Sequence, residues 1–130
     1  MNALQTFVTH LECSFTGQRY TADTVHGLSD AGKPLLVRYD LDRMSVQLDR
    51  DEIDHRDGGF WKYRELLPVR DSRNVVSLGE VTTPLLRMES LESDSELWVK
   101  DEGRLPTGSF KARGLALAVA MAKELGLKHL

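Results

Sequence analysis

The sequence has a single cysteine, Cys13, so no disulfide can form within the chain. Its longest apolar run, Leu115–Ala122, is far shorter than the roughly 20 residues that a membrane-spanning helix needs. Residues Met1–His10 carry neither the basic region nor the apolar core of a signal peptide. These absences indicate a reducing compartment, and we expect a cytoplasmic protein.

The charge shows no excess of one sign that would indicate a nucleic-acid or membrane partner. The 17 basic and 20 acidic residues give a formal net charge of −3 and are mixed along the chain. We therefore expect neither nucleic acid nor membrane among its partners. Hydrophobic residues make up 41% of the chain and charged residues 28%, which indicates a folded globular protein.

Short β-type runs separated by turn signals occupy the first part of the chain. Turn residues at Thr16–Gly17 and Ala31–Pro34 separate these runs, which predict a small β-ribbon. The predicted strands are Phe7–Leu11, a piece near Arg19–Thr21, and Leu35–Tyr39. A short amphipathic helix is predicted next, from the helical spacing of Leu41, Met44 and Leu48.

The middle of the chain predicts short elements between loops. Arg50–Gly59 is charged and ends in glycine, so we expect a solvated loop. A short helix is predicted over Trp61–Leu67, ended by Pro68. Further β-type runs are Val75–Leu78 and Glu96–Lys100.

A long helix is predicted after a loop rich in breakers. Ser109 is a candidate N-cap, strong helix formers follow it, and Gly126 is placed to end the helix as the C′ residue. Alanines surround this helix with small apolar groups, which is typical of an interior helix. Leu127–Leu130 resembles the approach to another strand. A strand–loop–helix–strand order predicts a parallel β-α-β unit, so we expect this chain to be part of a longer protein.

The residues with chemical potential lie in Lys100–Gly114, which reads KDEGRLPTGSFKARG. Lys111 falls in the first turn of the long helix, with Arg113 two residues on. The positive helix end and a neighbouring cation both disfavour a protonated lysine. We therefore expect the Lys111 amine to lie in an electropositive, semi-enclosed setting suited to condensing with an aldehyde.

Plainer interpretations of the same residues stay open. Lysines near helix starts are usually solvated, and Asp101 and Glu102 fit solvated loop charges. The Thr82–Pro84 step fits either a plain turn or the edge of a substrate entrance. A phosphate-binding P-loop is excluded, because Ser109 stands where that motif needs lysine.

The run PTGSFKARG, preceded by KDEG and followed by a helix ending in AKELG, resembles the lysine motif of fold-type II pyridoxal-phosphate enzymes. Within that group it is most similar to threonine synthases. Further runs match the N-terminal region of this family in the same order: Thr9–Tyr20, Gly32–Leu41, Trp61–Val69 and Leu78–Leu85. The resemblance implies an α/β fold, with an N-terminal β-containing segment over 1–60. The beginning of a tryptophan synthase β-like catalytic domain would follow over 61–130, truncated at Leu130.

The resemblance also implies a function. The family converts O-phospho-L-homoserine and water to L-threonine and phosphate, as a carbon–oxygen lyase acting on phosphate. Lys111 would be the catalytic residue and would hold the cofactor, pyridoxal 5'-phosphate. The family's other cofactor-binding segments lie beyond Leu130, so we expect these residues alone to be inactive. A serine/threonine dehydratase-like enzyme, a non-catalytic fragment or interaction module, and a homo-oligomer all stay open.

Several positions depart from the family pattern. Many relatives carry two Cys-x-x-Cys pairs that suggest a zinc ribbon. In this chain Cys13 keeps the first position of the first pair, but Thr16 stands at its second position. The second pair falls on Leu28 and Ala31. A structural zinc site needs about four ligands, so we expect no metal in this degenerate region. Three other family residues are replaced: a glycine by Val81, an asparagine by Leu105 and an aspartate by Ala112.

Overall fold

The computed structural model describes residues 3–89 and 96–129. Within those ranges, none of the helices is long and apolar enough to cross a membrane. The strands are β1 (Val8–Cys13), β2 (Arg19–Thr21), β3 (Leu35–Tyr39), β4 (Leu85–Arg87) and β5 (Trp98–Lys100). The α-helices are α1 (Leu41–Gln47), α2 (Arg50–His55) and α3 (Lys111–Glu124), and 3₁₀ helices cover Phe60–Leu66, Ser72–Asn74 and Glu102–Arg104.

The N-terminal strands form an antiparallel sheet in the order β2-β1-β3. This confirms the predicted β-ribbon, although β1 begins and ends later than Phe7–Leu11. Gly17 and Gly32 adopt positive φ angles of 72° and 66° in the two predicted turns. Glycine has no Cβ and takes this conformation without strain, so both turns are encoded locally.

The predicted solvated loop over Arg50–Gly59 is wrong for its first half, which forms α2. The Asp49 side chain accepts a hydrogen bond from the Asp51 N–H at 2.8 Å and so caps the helix. Ile53 is buried, and it supplies the tertiary contact that holds so short a helix. A single apolar residue gives no periodicity, and that is why the sequence pattern missed this helix.

The predicted strand at Val75–Leu78 is also wrong. The carbonyl of Val76 accepts the indole N–H of Trp61 at 2.9 Å, so a side chain takes the place of a strand partner. The missed strand is β4, which pairs antiparallel with β5, Leu85 opposite Lys100. Of the predicted strand Glu96–Lys100, the last three residues form β5.

The two sheets of the described residues are both antiparallel. Residues 127–129 form no strand after α3, and Leu130 lies outside the described residues. The parallel β-α-β unit that we predicted is therefore not formed by the described part of the chain. Its mixture of helices and strands agrees with the expected fold class.

The predicted C-terminal end of the long helix is confirmed, whereas its N-cap residue is Phe110 and not Ser109. The Ser109 hydroxyl, one residue before that N-cap, accepts a hydrogen bond from the Lys111 N–H at 3.3 Å. At the other end Gly126 has a φ of 69°, and the Leu127 N–H reaches back to the Ala122 carbonyl at 2.8 Å. This is the Schellman arrangement, which satisfies a carbonyl that has no partner within the helix.

One face of α3 packs against the rest of the chain through alanines. Ala112, Ala116 and Ala120 recur every four residues and are 4%, 8% and 0% exposed. Glu124 continues this stripe, and its carboxylate accepts hydrogen bonds from the N–H groups of residues 70 and 71 and from the Asn74 amide. The opposite face is open, because Leu115 is 57% exposed, so the expected burial holds for one face only.

Residues near the N-terminus are hydrogen-bonded to the 3₁₀ helix Phe60–Leu66 and to the segment that follows it. The Leu4 N–H donates to the Arg70 carbonyl at 2.7 Å, and the Phe7 N–H donates to the Glu65 carbonyl at 2.9 Å. Phe7 is only 2% exposed and is among the most buried side chains. These bonds join the segments 1–60 and 61–130, whose division into two units stays a prediction.

We expect Gly59→Ala to lower the free energy of unfolding by about 2–4 kcal/mol. Gly59 has a φ of +102°, and a Cβ there would stand 2.4 Å from the Glu80 carbonyl oxygen. The substitution therefore combines backbone strain with a clash against backbone, which urea unfolding followed by circular dichroism measures. Gly27→Ala is the matched control, because its Cβ would meet no atom within 4 Å. Equal destabilisation by both changes would contradict this reason.

Candidate active site

Lys111 is the first residue of α3, and its side chain is exposed. Within the described part of the chain, no residue makes a hydrogen bond or ion pair with its amine. The semi-enclosed setting that we expected is thus not formed by these residues. The amine is instead accessible and unpaired, and its proposed role stays a prediction.

The loop before Lys111 is held by its own turn and by one buried side chain. The Gly108 N–H donates to the Leu105 carbonyl at 2.7 Å, and Gly108 has a φ of 65°. Leu105 is 3% exposed, so the residue that replaces the family's asparagine anchors the loop by apolar burial. Ala112 is buried too, whereas Val81 is 50% exposed.

Arg113 lies in a polar cluster that we name the Arg113 network, made of Thr83, Glu102 and Arg113. Arg113 Nε donates to Glu102 Oε2 at 2.7 Å, and Nη2 donates to Glu102 Oε1 at 3.0 Å. The Thr83 hydroxyl also donates to Glu102 and is approached by Arg113 Nη2 at 3.4 Å. Arg113, the cation expected to act on Lys111, is therefore ion-paired with Glu102.

The charges of this network stabilise each other. The hydrogen bonds from Arg113, and then that from Thr83, hold the pKa of the Glu102 carboxyl at about 2, below its ordinary 4.5. Glu102 in turn raises the pKa of the Arg113 guanidinium. The expectation that Glu102 is a solvated loop charge is therefore wrong, whereas Asp101 pairs with the exposed Arg104 at 2.9 Å.

Sequence reasoning missed this network for a physical reason. Thr83 and Glu102 are 19 positions apart in the chain, and neither belongs to a periodic pattern. Thr83 is 2% exposed, so the Thr82–Pro84 step is more than a plain turn. The available signal was a glutamate and an arginine in one short motif, and it does not by itself predict a pair.

An apolar groove of about 330 Å³ lies along α3 beside the site. Its lining includes Ala112 and Leu115, which follow Lys111 in the first turns, and Glu80 from the facing segment. Burial would raise the pKa of Glu80, but hydrogen bonds from Ser77 and Leu78 outweigh it and leave the pKa lowered. The groove thus combines apolar walls with one fixed, buried carboxylate.

The degenerate region, where many relatives carry the zinc-ribbon cysteines, holds a hydrogen-bonded cysteine. Cys13 is 1% exposed, and its Sγ lies 3.1 Å from the Ser29 hydroxyl and 3.4 Å from the Thr16 N–H. These bonds lower the pKa of the thiol to about 6, and the bond with Ser29 has the largest effect. The structure brings Ser29 to Cys13 instead of Leu28, which is 66% exposed. Across residues 3–89 and 96–129, no three potential ligands cluster to hold a metal ion.

The family described as pyridoxal-phosphate dependent enzyme matches residues 76–129. The matched segment contains Lys111, the apolar groove on α3 and the whole Arg113 network. Pyridoxal phosphate is the cofactor that the sequence predicted, and the family is named for its dependence on it.

Curated threonine synthases are similar to a longer part of this chain. That of Methanocaldococcus jannaschii is 39% identical over 119 residues, which are 89% of this chain and 29% of the relative. That of Methanosarcina acetivorans is 38% identical over 122 residues, which are 91% of this chain and 29% of the relative. That of Halalkalibacterium halodurans is 48% identical over 71 residues, which are 53% of this chain and 20% of the relative. The resemblance to threonine synthases is thus confirmed.

The chain spans 29% of the length of the first two relatives. No solved structure matches it significantly.

We expect Glu102→Gln to remove one component of the acid sensitivity of folding. The folded pKa of about 2 lies below the ordinary 4.5, so the ionised carboxylate stabilises the fold above about pH 4.5. That stabilisation is lost as the pH falls from 4.5 towards 2. The difference in unfolding free energy between the native chain and the variant should therefore be largest near neutral pH and should shrink with acid.

Guanidinium unfolding at a series of pH values measures this difference. Asp54→Asn is the matched control, because the Asp54 side chain is 87% exposed and lies 3.9 Å from its partner Lys62. We expect that variant to follow the native pH dependence. A constant difference between Glu102→Gln and the native chain from pH 7 to pH 2 would contradict the assignment.

Proposed function

We propose that this chain is part of a threonine synthase-like lyase, which converts O-phospho-L-homoserine and water to L-threonine and phosphate. The similarity to threonine synthases over 89% of the chain carries the proposal. The family match over residues 76–129 supports the same cofactor chemistry. We also infer a cytoplasmic location, as the composition predicted.

Lys111 fits the aldehyde end of pyridoxal phosphate. A primary amine condenses with an aldehyde only when it is accessible and free of an ion pair, and Lys111 meets both conditions among the described residues. The bound cofactor supplies a ring that withdraws electrons from the substrate carbons. Lys111 would hold it covalently through Nζ.

The second task that we propose for Lys111 is proton transfer. When it does not hold the cofactor, Nζ would remove and return protons at the substrate carbons. Lys111 is the first residue of α3, and its backbone N–H donates to the Ser109 hydroxyl at 3.3 Å. Its alkyl chain begins next to the apolar groove that Ala112 and Leu115 line.

A second candidate is another fold-type II enzyme, similar to a serine/threonine dehydratase. The family match favours it equally, because its description names the cofactor and no substrate. Such an enzyme would use Lys111 in the same way and would differ in the groups that bind the substrate. A non-catalytic interaction module is the third candidate, since the chain spans 29% of the relatives' length.

We expect Lys111→Ala in the full-length protein to reduce phosphate release from O-phosphohomoserine by at least about a thousandfold, because both the covalent link and the proton carrier are lost. Phosphate release is measured with a coupled colorimetric assay. Lys128→Ala is the control, because Lys128 is an exposed lysine that follows the same helix. Turnover that survives Lys111→Ala would count against the assigned role.

Substrate preference separates the first two candidates. We expect the full-length protein to release phosphate from O-phosphohomoserine and to release little ammonia from serine or threonine, as judged by initial rates. Ammonia release from serine or threonine at the higher rate would favour the dehydratase-like enzyme. Activity with none of the three, in a folded protein that binds the cofactor, would favour the interaction module.

A further inference from the structure

We propose that the Arg113 network is a positioning device that sets the direction in which Lys111 faces. The inference rests on the proposed function, because it concerns how the cofactor lysine is held. Nothing in the family match assigns a task to Thr83, Glu102 or Arg113. Their geometry assigns one.

The bond between Arg113 and Glu102 fixes orientation as well as distance. Two nitrogens of the planar guanidinium meet two oxygens of one carboxylate, at 2.7 Å and 3.0 Å. A two-point contact between planar groups resists rotation, whereas a single ion pair does not. The side chains of Arg113 and Glu102 are 25% and 23% exposed, so water competes weakly for this pair.

Helix geometry converts that anchor into a direction for Lys111. Residues two apart in a helix are separated by about 200° around its axis, so Lys111 and Arg113 lie on opposite sides. Arg113 is held against Glu102, and the next stripe residue, Ala112, is 4% exposed. With these two residues fixed inward, the first turn presents Lys111 outward.

The other end of the network is fixed to the β4–β5 hairpin. Thr83 is 2% exposed and precedes β4, and Glu102 follows β5. The Asp101 N–H donates to the Pro84 carbonyl at 3.0 Å, and the Lys100 amine donates to the Thr83 carbonyl. The first turn of α3, which carries Lys111, is thus attached to the paired strands β4 and β5 through the Arg113 network. The loop that precedes Lys111 in the chain has little regular structure.

The test measures the chemical reactivity of Lys111 in the full-length protein. Its neutral amine adds to the aldehyde carbon of pyridoxal phosphate, water leaves, and borohydride then delivers hydride to the carbon of the new carbon–nitrogen bond. Peptide mass spectrometry quantifies the adduct on residue 111. A second readout, in cofactor-free protein, is the rate at which acetic anhydride acetylates the same amine.

We expect Arg113→Gln to slow formation of the trapped adduct at least tenfold and to change the acetylation rate of Lys111. Arg113→Lys should recover part of the loss, because it keeps the charge without the two-point contact. Arg104→Gln is the matched control and should stay within twofold of the native protein. Arg104 is 64% exposed and pairs with Asp101, outside the network.

Glu102→Gln and Thr83→Val are the second variants, to be used if Arg113→Gln fails to fold. Each removes part of the network while keeping the side-chain shape, and each should slow adduct formation several-fold. Loss of unfolding stability with native adduct formation in the folded variants would show a merely structural network and overturn the proposal. If the native protein forms no adduct on Lys111, the proposed function itself fails. If the native adduct forms and these variants match it, only the positioning role fails.

Discussion

The close approach of α3 to the rest of the chain is the constraint on which the candidate site depends. Ala112, Ala116 and Ala120 bring the helix backbone near its neighbours, and larger side chains there would push it away. Glu124 then bonds the far end of the stripe to the segment around Asn74. The two ends of α3 are thus held by polar groups and its middle by packing, so the first turn has a fixed position.

Much of the fold followed from local signals in the sequence. Turn glycines predicted the N-terminal sheet. Gly126 predicted the end of α3, and Ser109 predicted its start to within one residue of the observed N-cap. Such signals act within a few residues. The helix α2 and the strand β4 did not follow. Ile53 is the only buried residue of α2, and β4 has three residues that depend on pairing with β5. Information of that kind is absent from a short stretch of sequence.

The candidate site likewise has one part that the sequence predicted and another that only the structure revealed. The motif around Lys111 identified the cofactor lysine by resemblance, and the family match over residues 76–129 agrees with it. The pairing of Arg113 with Glu102 needed coordinates, since the sequence indicated only that a cation lies near Lys111. The replacements at Leu105 and Ala112 became understandable only once both were seen to be buried.

Cys13 has a practical consequence for following the motions of the N-terminal sheet. It is the only thiol in the chain and is 1% exposed, so a thiol-reactive dye reaches it only when β1 opens. The rate of labelling therefore reports the opening of that strand, without any engineered probe and against no background from other cysteines.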